Sequence, residues 1–187
     1  TTGSATDSYN TAIGYVAGGA ITTGDLNTIV GGLAGDALTE GNNNVAIGYL
    51  ALSAETLGDR NVAIGNSALG VQNNTSDVDS YNVAIGYNAG FATTTGIRNT
   101  IIGSQAGDAL TTGSYNVAIG FDALTTEDAH GRNIAIGYRS LKVQDAGADA
   151  YNVAVGYDSG LSITTGTLNT IVGGLAGDAL TTGAQNT

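Results

Sequence analysis

The sequence predicts an all-β fold, a parallel β-solenoid of ten near-identical rungs built on a 17-residue unit. Two observations carry this prediction. A motif that begins with Asn recurs along the whole chain, and its centre is a short β-branched run that ends at Gly. A helical period of apolar residues is missing from the unit. Because 17 residues are too few for a pair of helices, each unit is expected to form one coil with two short strands and two turns.

The repeat is strict in both spacing and motif. With Asn as position one, the ten units begin at Asn10, Asn27, Asn44, Asn61, Asn82, Asn99, Asn116, Asn133, Asn152 and Asn169. The spacing is 17 residues except after Asn61 and Asn133, where it is 21 and 19 residues. Position four is always Ile or Val, and position five is always Gly. We interpret these positions as the structural core of the repeat, formed by Ile13, Val30, Ile47, Ile64, Ile85, Ile102, Ile119, Ile136, Val155 and Val172 and by glycines such as Gly14, Gly86 and Gly120.

Four consecutive units combine into a longer repeat. The units at Asn27, Asn99 and Asn169 share the run Ala-Gly-Asp-Ala-Leu-Thr, and the fourth unit of each complete set carries an insertion. We interpret residues 1–187 as a single repeat domain and a fragment of a longer fibre, with super-repeats at about 10–81, 82–151 and, incomplete, 152–187. Because the insertions are polar and rich in turn-forming residues, they are expected to bulge from the surface as loops.

The alternation of side chains along the predicted strand indicates that both of its faces are covered. Positions two and four point to one side, and positions three and five point to the other. Val, Thr or Ile occupy the first pair and Ala, Ile or Gly the second, so neither face carries charge. One face is the interior of the coil, and the other needs a neighbour. The invariant Gly and the small residue at position eight would let a second backbone approach closely, which favours a homo-oligomer.

Composition excludes several classes of function. The chain has 30 Gly, no Pro and no Cys, and only 11% of its residues are charged, a bias typical of repeat proteins. The formal net charge of −11 disfavours nucleic acid and anionic membrane surfaces as partners, because both attract cationic proteins. No stretch approaches the roughly 20 apolar residues of a membrane-spanning helix, so no membrane insertion is expected from this segment.

The recurring motif Asn-Val-Ala-Ile-Gly-x-x-Ala, as at Asn82 to Ala89, resembles the repeat of trimeric autotransporter adhesin heads and is similar to repeats of phage tail and head fibres and of bacterial surface filaments. The resemblance covers essentially the whole chain, although this unit is longer than the usual adhesin-head coil. It implies a left-handed β-roll, a homotrimer, and a place outside the cell or on a virion. There the chain would be a shaft or head segment that serves attachment, with a host-surface glycan or receptor as its partner.

Catalytic and metal-binding groups are sparse in the sequence. Asp36, Asp108 and Asp178 recur once per super-repeat, which places them four rungs, roughly 19 Å, apart along the stack. That separation forms no catalytic carboxylate pair, and the glycine-rich nonapeptide of calcium-binding rolls is absent. His130 is the only His and lies in a charged turn, where a surface role is expected. We therefore expect no catalytic residue, no cofactor, no metal and no enzymatic activity.

Several polar positions of the repeat have two interpretations each. The Asn at position one either forms a ladder of side-chain amides along the stack or serves as a turn former. Arg60, Arg98 and Arg132 precede the repeat Asn, where each either pairs with a carboxylate of an adjacent coil or chain or is simply solvated. Tyr recurs directly after the Gly and directly before the Asn, where the rings either bind sugar faces or pack at coil corners.

An alternative function is a glycan-binding or ice-binding solenoid that acts through the Tyr and Thr rows and the surface insertions. The candidate surface ligand contacts are Tyr87, Tyr157, Asn74 and Asp77. Ice binding requires an unbroken ladder of Thr, but Asn73 interrupts the row, so this part of the alternative is disfavoured.

Overall fold

The computed structural model describes residues 8–187 and shows a parallel β-solenoid with the predicted 17-residue spacing. Ten strands of three residues each form one sheet in chain order, and each strand pairs in parallel with the next. Within the described residues there are no helices. The strands are β1 Thr11–Ile13, β2 Thr28–Val30, β3 Val45–Ile47, β4 Val62–Ile64, β5 Val83–Ile85, β6 Thr100–Ile102, β7 Val117–Ile119, β8 Ile134–Ile136, β9 Val153–Val155 and β10 Thr170–Val172.

Each repeat unit forms one rung, and we number the rungs 1 to 10 from Asn10 onward. Equivalent positions stack directly, as when Ala84 of β5 pairs with Ile101 of β6. The expectation of two strands per rung is wrong, because in the described rungs only positions two to four form a strand. The rest of the rung bends through left-handed residues, in rung 5 Asn88 (φ 53°), Gly90 (φ 58°) and Arg98 (φ 57°). These corners still bond along the stack through their backbone, but they break up any second strand.

The core of the coil runs through positions three, eight, nine and twelve rather than through position four. Position three is fully buried in rungs 2 to 9, as at Ala84 and Ile101. The interpretation of position four as the core is corrected, since Ile47 and Ile85 are only partly buried and Val172 is 69% exposed. Because side chains alternate along a strand, burying position three inside the coil necessarily turns positions two and four outward.

The invariant Gly at position five stacks on itself along the rod. Its φ lies at 139° in Gly86 and 135° in Gly103, a conformation that L-residues rarely adopt. A Cβ on Gly86 would lie 2.5 Å from the carbonyl oxygen of Gly103 in the next rung. A close backbone approach at this Gly is therefore made by the next rung of the same chain.

The four-rung super-repeat is a period of interior packing. Position nine is Gly in rungs 1, 2, 5, 6, 9 and 10 and Leu in rungs 3, 4, 7 and 8. Position twelve in rungs 1 to 10 is Ile21, Leu38, Glu55, Gln72, Thr93, Leu110, Glu127, Gln144, Ile163 and Leu180. A Cβ on Gly107 would lie 2.9 Å from Cδ1 of Leu110, so the Gly makes room for the apolar side chain. Leu at position nine fills the interior in the four rungs where position twelve is Glu or Gln.

The repeat Asn forms the predicted amide ladder. In rung 6, the backbone N–H of Asn99 donates to Oδ1 of Asn82 at 2.9 Å, and the backbone N–H of Asn116 donates to Oδ1 of Asn99 at 2.9 Å. Nδ2 of Asn99 donates to the Gly113 carbonyl at 2.9 Å. All three Asn side chains are fully buried. The ladder interpretation is therefore confirmed, and each Asn joins its rung to both neighbours.

Replacing Asn99 with Ala is expected to lower the free energy of unfolding by about 2 kcal/mol, because the Asn116 N–H and the Gly113 carbonyl would lose their partners inside the protein. Urea denaturation followed by circular dichroism measures the change. The matched control is Asn66→Ala at an exposed position, which should leave the midpoint within about 0.5 kcal/mol of the wild type. Equal midpoints for Asn99→Ala and Asn66→Ala would contradict the ladder's contribution.

The first insertion, in rung 4, removes the carbonyl that would accept hydrogen bonds from the turn N–H groups of rung 3. In rung 2, the N–H groups of Thr39, Glu40 and Gly41 all donate to the carbonyl of Thr56 in rung 3. In rung 3, the equivalent N–H groups of Thr56, Leu57 and Gly58 donate instead to Oε1 of Glu55, at 2.8 to 3.2 Å. The buried carboxylate thus replaces a carbonyl of the next rung, where the chain leaves the repeat path.

Candidate functional site

The outer strand face, formed by the side chains at positions two and four of β1 to β10, is a continuous apolar surface. Position two contributes Thr11, Thr28, Val45, Val62, Val83, Thr100, Val117, Ile134, Val153 and Thr170, and position four contributes the ten Ile and Val residues given above. All but four of these twenty side chains are Val or Ile. They are partly buried by stacking on one another in rungs 3 to 9, and none of them belongs to the buried core of the described residues. The face runs the full length of the described sheet.

An Arg–Tyr row lies along one edge of the outer strand face, at the residue before each repeat Asn. It consists of Arg60, Tyr81, Arg98, Tyr115, Arg132 and Tyr151 in rungs 3 to 8. The guanidinium carbons lie 5.4 to 5.6 Å from the centres of the neighbouring rings, within cation–π range. The rings and guanidinium groups therefore alternate along the stack.

Two residues of the Arg–Tyr row are also ion-paired. Arg60 pairs with Asp79 and Arg132 pairs with Asp149, and both carboxylates belong to the insertions. Arg98 instead donates to the Tyr115 hydroxyl at 2.7 Å. The pairing interpretation is confirmed for Arg60 and Arg132, and these pairs hold the return of each insertion against the stack.

A ring row lies along the other edge of the outer strand face, at position six. Its aromatic members are Tyr15, Tyr49, Tyr87, Phe121, Tyr138 and Tyr157. Phe121 stacks on Tyr138 with ring centres 5.6 Å apart, and Tyr138 stacks on Tyr157 at 5.1 Å. Tyr87 and Tyr157 are both more than half exposed. The outer strand face is therefore bordered on both sides by exposed aromatic side chains.

Three of the four candidate ligand contacts lie on the surface, and one does not. Tyr87, Tyr157 and Asp77 are exposed. Asn74 is buried, and its Nδ2 donates to Oε2 of Glu55 at 3.0 Å and to the Ser80 hydroxyl at 2.9 Å. Its assignment as a surface contact is corrected, because Asn74 closes the interior where the first insertion begins.

The hydroxyl groups of the Thr row at position thirteen donate hydrogen bonds to the neighbouring rung. Thr22, Thr39 and Thr94 each donate to the carbonyl of the residue 17 positions later, at 3.0 to 3.2 Å. Asn73, Asp128 and Asp145 interrupt the row. These hydroxyls are therefore committed to neighbouring rungs rather than free to order water in a regular array.

The recurring Asp108 does not join a catalytic pair, but its surroundings disfavour the charged form of its carboxylate. Burial, together with the charge of Asp122 in the next rung, raises the pKa of Asp108 above its ordinary value. Lys142 acts in the opposite direction and lies 2.6 Å from Oδ2 of Asp122. The arrangement is that of a partly buried charge held in a turn.

A second polar cluster forms around His130, which the sequence placed on the surface. One donor atom from each of Glu127, Asp128, His130 and Asp145 lies within 4.8 Å of the others. Nδ1 of His130 is 3.5 Å from Oε1 of the fully buried Glu127, so this His is not a simple surface residue. Burial raises the pKa of Glu127, and the charges of Asp145 and Asp128 add to the effect. The cluster is not evident from the sequence, because Asp145 lies one rung after Asp128 and comes beside it only when the rungs stack.

Comparisons with protein-family models, with curated proteins and with solved structures find no match for this chain. In the described part of the chain, no helix has the length and apolar character to cross a membrane.

Proposed function

We propose that this chain is a structural segment, a shaft or head, of an extracellular or virion-surface fibre that serves attachment, in which three copies pack through their outer strand faces. The observation that carries the proposal is the outer strand face itself. Large contiguous apolar surfaces on soluble proteins mark sites of association. Here such a surface extends along all ten strands.

The interior of the rung supports an external role for the outer strand face. Positions three, eight, nine and twelve fill the coil, and the side chains at these positions are mostly fully buried. A rung can therefore close without using positions two and four. The regular aliphatic rows at positions two and four do not fill the core, and a partner that packs on them would explain their apolar character. An identical chain is a suitable partner because it has the same repeat spacing.

A homotrimer is the assembly we favour. In an assembly with closed cyclic symmetry, every copy buries the same surface, and no copy leaves that surface exposed. Three such sheets around one axis bury their outer faces together and place the two aromatic rows at the seams. The three-fold number follows the resemblance of the motif to trimeric adhesin heads.

The mechanical role follows from the bonding along the stack. The Asn ladder, the Thr hydroxyls and the strand pairs all join one rung to the next, so the rod is held in register along its length. A rod of this kind gains length by adding rungs, and each rung adds the same contacts. Rigidity and reach are the properties an attachment fibre needs.

Charge placed on the outer strand face is expected to dissociate the fibre segment without unfolding the coil. Ile85→Asp combined with Ile119→Asp should reduce the solution mass, measured by light scattering on a size-exclusion column, from three chains to one. Circular dichroism should stay unchanged, because neither side chain fills the interior. Val71→Asp, at the exposed position eleven of rung 4, adds one negative charge away from the face and should remain trimeric.

A wild-type mass of one chain would contradict the trimer. It would favour the second candidate, a glycan-binding solenoid, because the exposed stacked rings at Tyr138 and Tyr157 would then remain open to a ligand. A double variant that stays trimeric would show instead that the chains associate through another surface.

A further inference from the structure

The second super-repeat carries a group of metal-ligating side chains that the first does not. Glu127 and Asp128 occupy positions twelve and thirteen of rung 7, and His130 follows in the same turn. Asp145 occupies position thirteen of rung 8. One donor atom from each residue lies within 4.8 Å of the others. Asp128 and Asp145 are therefore stacked carboxylates, an arrangement that is unfavourable for two like charges on neighbouring rungs.

The first super-repeat shows what these positions look like without such a group. Thr56 and Asn73 stand where the second has Asp128 and Asp145, and the Thr56 hydroxyl donates to Oδ1 of Asn73 at 2.9 Å. Gly58 stands at the place of His130. The first turn is thus satisfied by its own neutral groups. The second replaces them with two carboxylates and an imidazole.

The buried atoms of the second cluster also lack partners. Glu127 is fully buried, and its Oε2 accepts no hydrogen bond, whereas Oε2 of the equivalent Glu55 accepts from Gln72 at 2.8 Å and from Asn74 at 3.0 Å. Nδ1 of His130 is likewise buried without a hydrogen bond and faces the Glu127 carboxylate across 3.5 Å. Buried polar atoms in folded proteins are normally paired. Two buried atoms with lone pairs, on Glu127 and His130, are therefore without a hydrogen bond at this turn, and Nε2 of Gln144, the equivalent of Gln72, is unpaired as well. A cation held between the carboxylates and the imidazole would use the lone pairs of Glu127 and His130.

We propose that Glu127, Asp128, His130 and Asp145 bind one divalent transition-metal ion of the zinc class. Zn²⁺ takes imidazole nitrogen together with carboxylate oxygen, whereas Ca²⁺ and Mg²⁺ prefer oxygen alone, so His130 selects the class. Asp128 and Asp145 are exposed, which gives the ion a path from solvent and lets their side chains rotate toward it. The bound ion joins rung 7 to the start of the second insertion.

Zn²⁺ titration of the intact chain by isothermal calorimetry tests the site. The wild type should bind one Zn²⁺ per chain, and its thermal midpoint should rise when Zn²⁺ is added. The triple variant Asp128→Thr, His130→Gly and Asp145→Asn restores the residues of the first super-repeat. It should bind Zn²⁺ at least tenfold more weakly and show no Zn²⁺-dependent rise. Without metal it should melt no lower than the wild type, because the stacked carboxylates are gone.

Two further measurements decide the identity of the ligands. His130→Ala alone should also weaken Zn²⁺ binding at least tenfold, and Ca²⁺ should bind the wild type far more weakly than Zn²⁺. The proposal is overturned if the wild type shows no Zn²⁺ binding at millimolar concentration, or if the triple variant binds as tightly as the wild type. Ca²⁺ binding as tight as Zn²⁺ binding would overturn the assigned metal class.

Discussion

Replacing Glu55 with Leu is expected to lower the free energy of unfolding by about 4 kcal/mol, although Leu is the residue that rung 2 carries at the same position. Oε1 of Glu55 accepts the backbone N–H groups of Thr56, Leu57, Gly58 and Asn74, at 2.8 to 3.2 Å. In rungs that carry Leu or Ile at position twelve, the turn N–H groups donate to the next rung instead. The first insertion removes that acceptor, so Leu at position 55 would leave the donors unpaired.

Two measurements together locate the effect of Glu55→Leu. Urea denaturation gives the loss of stability, and hydrogen exchange should show lost protection at the amides of Gly58 and Asn74, which are buried in the wild type. The matched control is Glu40→Leu, the same substitution at an exposed carboxylate, which should change stability by less than about 0.5 kcal/mol. Similar midpoints for the two variants would show that the carboxylate does not replace the missing carbonyl.

The period, the strand and the Asn ladder follow directly from the sequence, because each depends on positions that recur in every rung. Stacking at a constant spacing forces equivalent residues into contact, so a recurring Asn such as Asn99 meets Asn82 and Asn116. In the described rungs, the β-branched run before Gly is the part that forms a strand. Along this strand, simple alternation correctly predicts which side chains share a face. It does not tell which of the two faces lies inside the coil.

The choice of the inner face and the absence of a second strand lay beyond sequence reasoning. Both depend on left-handed corners at residues such as Leu52 (φ 52°) and Leu69 (φ 49°), a conformation that a Leu by itself does not predict. Once a corner intervenes, alternation no longer tells which way the following side chains point. Position twelve is therefore not recognisable as interior from the sequence, although it is buried in the middle rungs of the coil.

The role of Glu55 nevertheless has a signal in the sequence. Glu55 and Glu127 lie at the same position of rungs 3 and 7, each one rung before an insertion. A buried acidic residue that recurs only beside a break in the repeat indicates a structural replacement for a lost hydrogen-bond acceptor. The cluster around His130 has no such recurrence, since the first super-repeat has Gly58 at that place. It becomes visible only when the rungs are stacked.

Replacing Gly86 with Ala is expected to lower the free energy of unfolding by at least about 3 kcal/mol, through backbone strain and a direct clash. Its φ of 139° is one that L-residues rarely adopt, and a Cβ would lie 2.5 Å from the oxygen and 2.6 Å from the carbon of the Gly103 carbonyl. Gly103 cannot move away freely, because it stacks in the same way on Gly120. The strain therefore spreads along the column of glycines.

The control for Gly86→Ala is Gly32→Ala, which adds the same methyl group one residue beyond the column. Gly32 has no positive φ, and a Cβ there would meet only Cδ2 of Tyr49, at an ordinary 3.6 Å. This variant should match the wild type or be more stable by about 0.5 kcal/mol, because Ala restricts the unfolded chain. Thermal and urea denaturation of both variants measure the difference. If Gly86→Ala proved as stable as Gly32→Ala, the glycine column would tolerate side chains, and the spacing between rungs would have to be set by the Asn ladder and strand pairs alone.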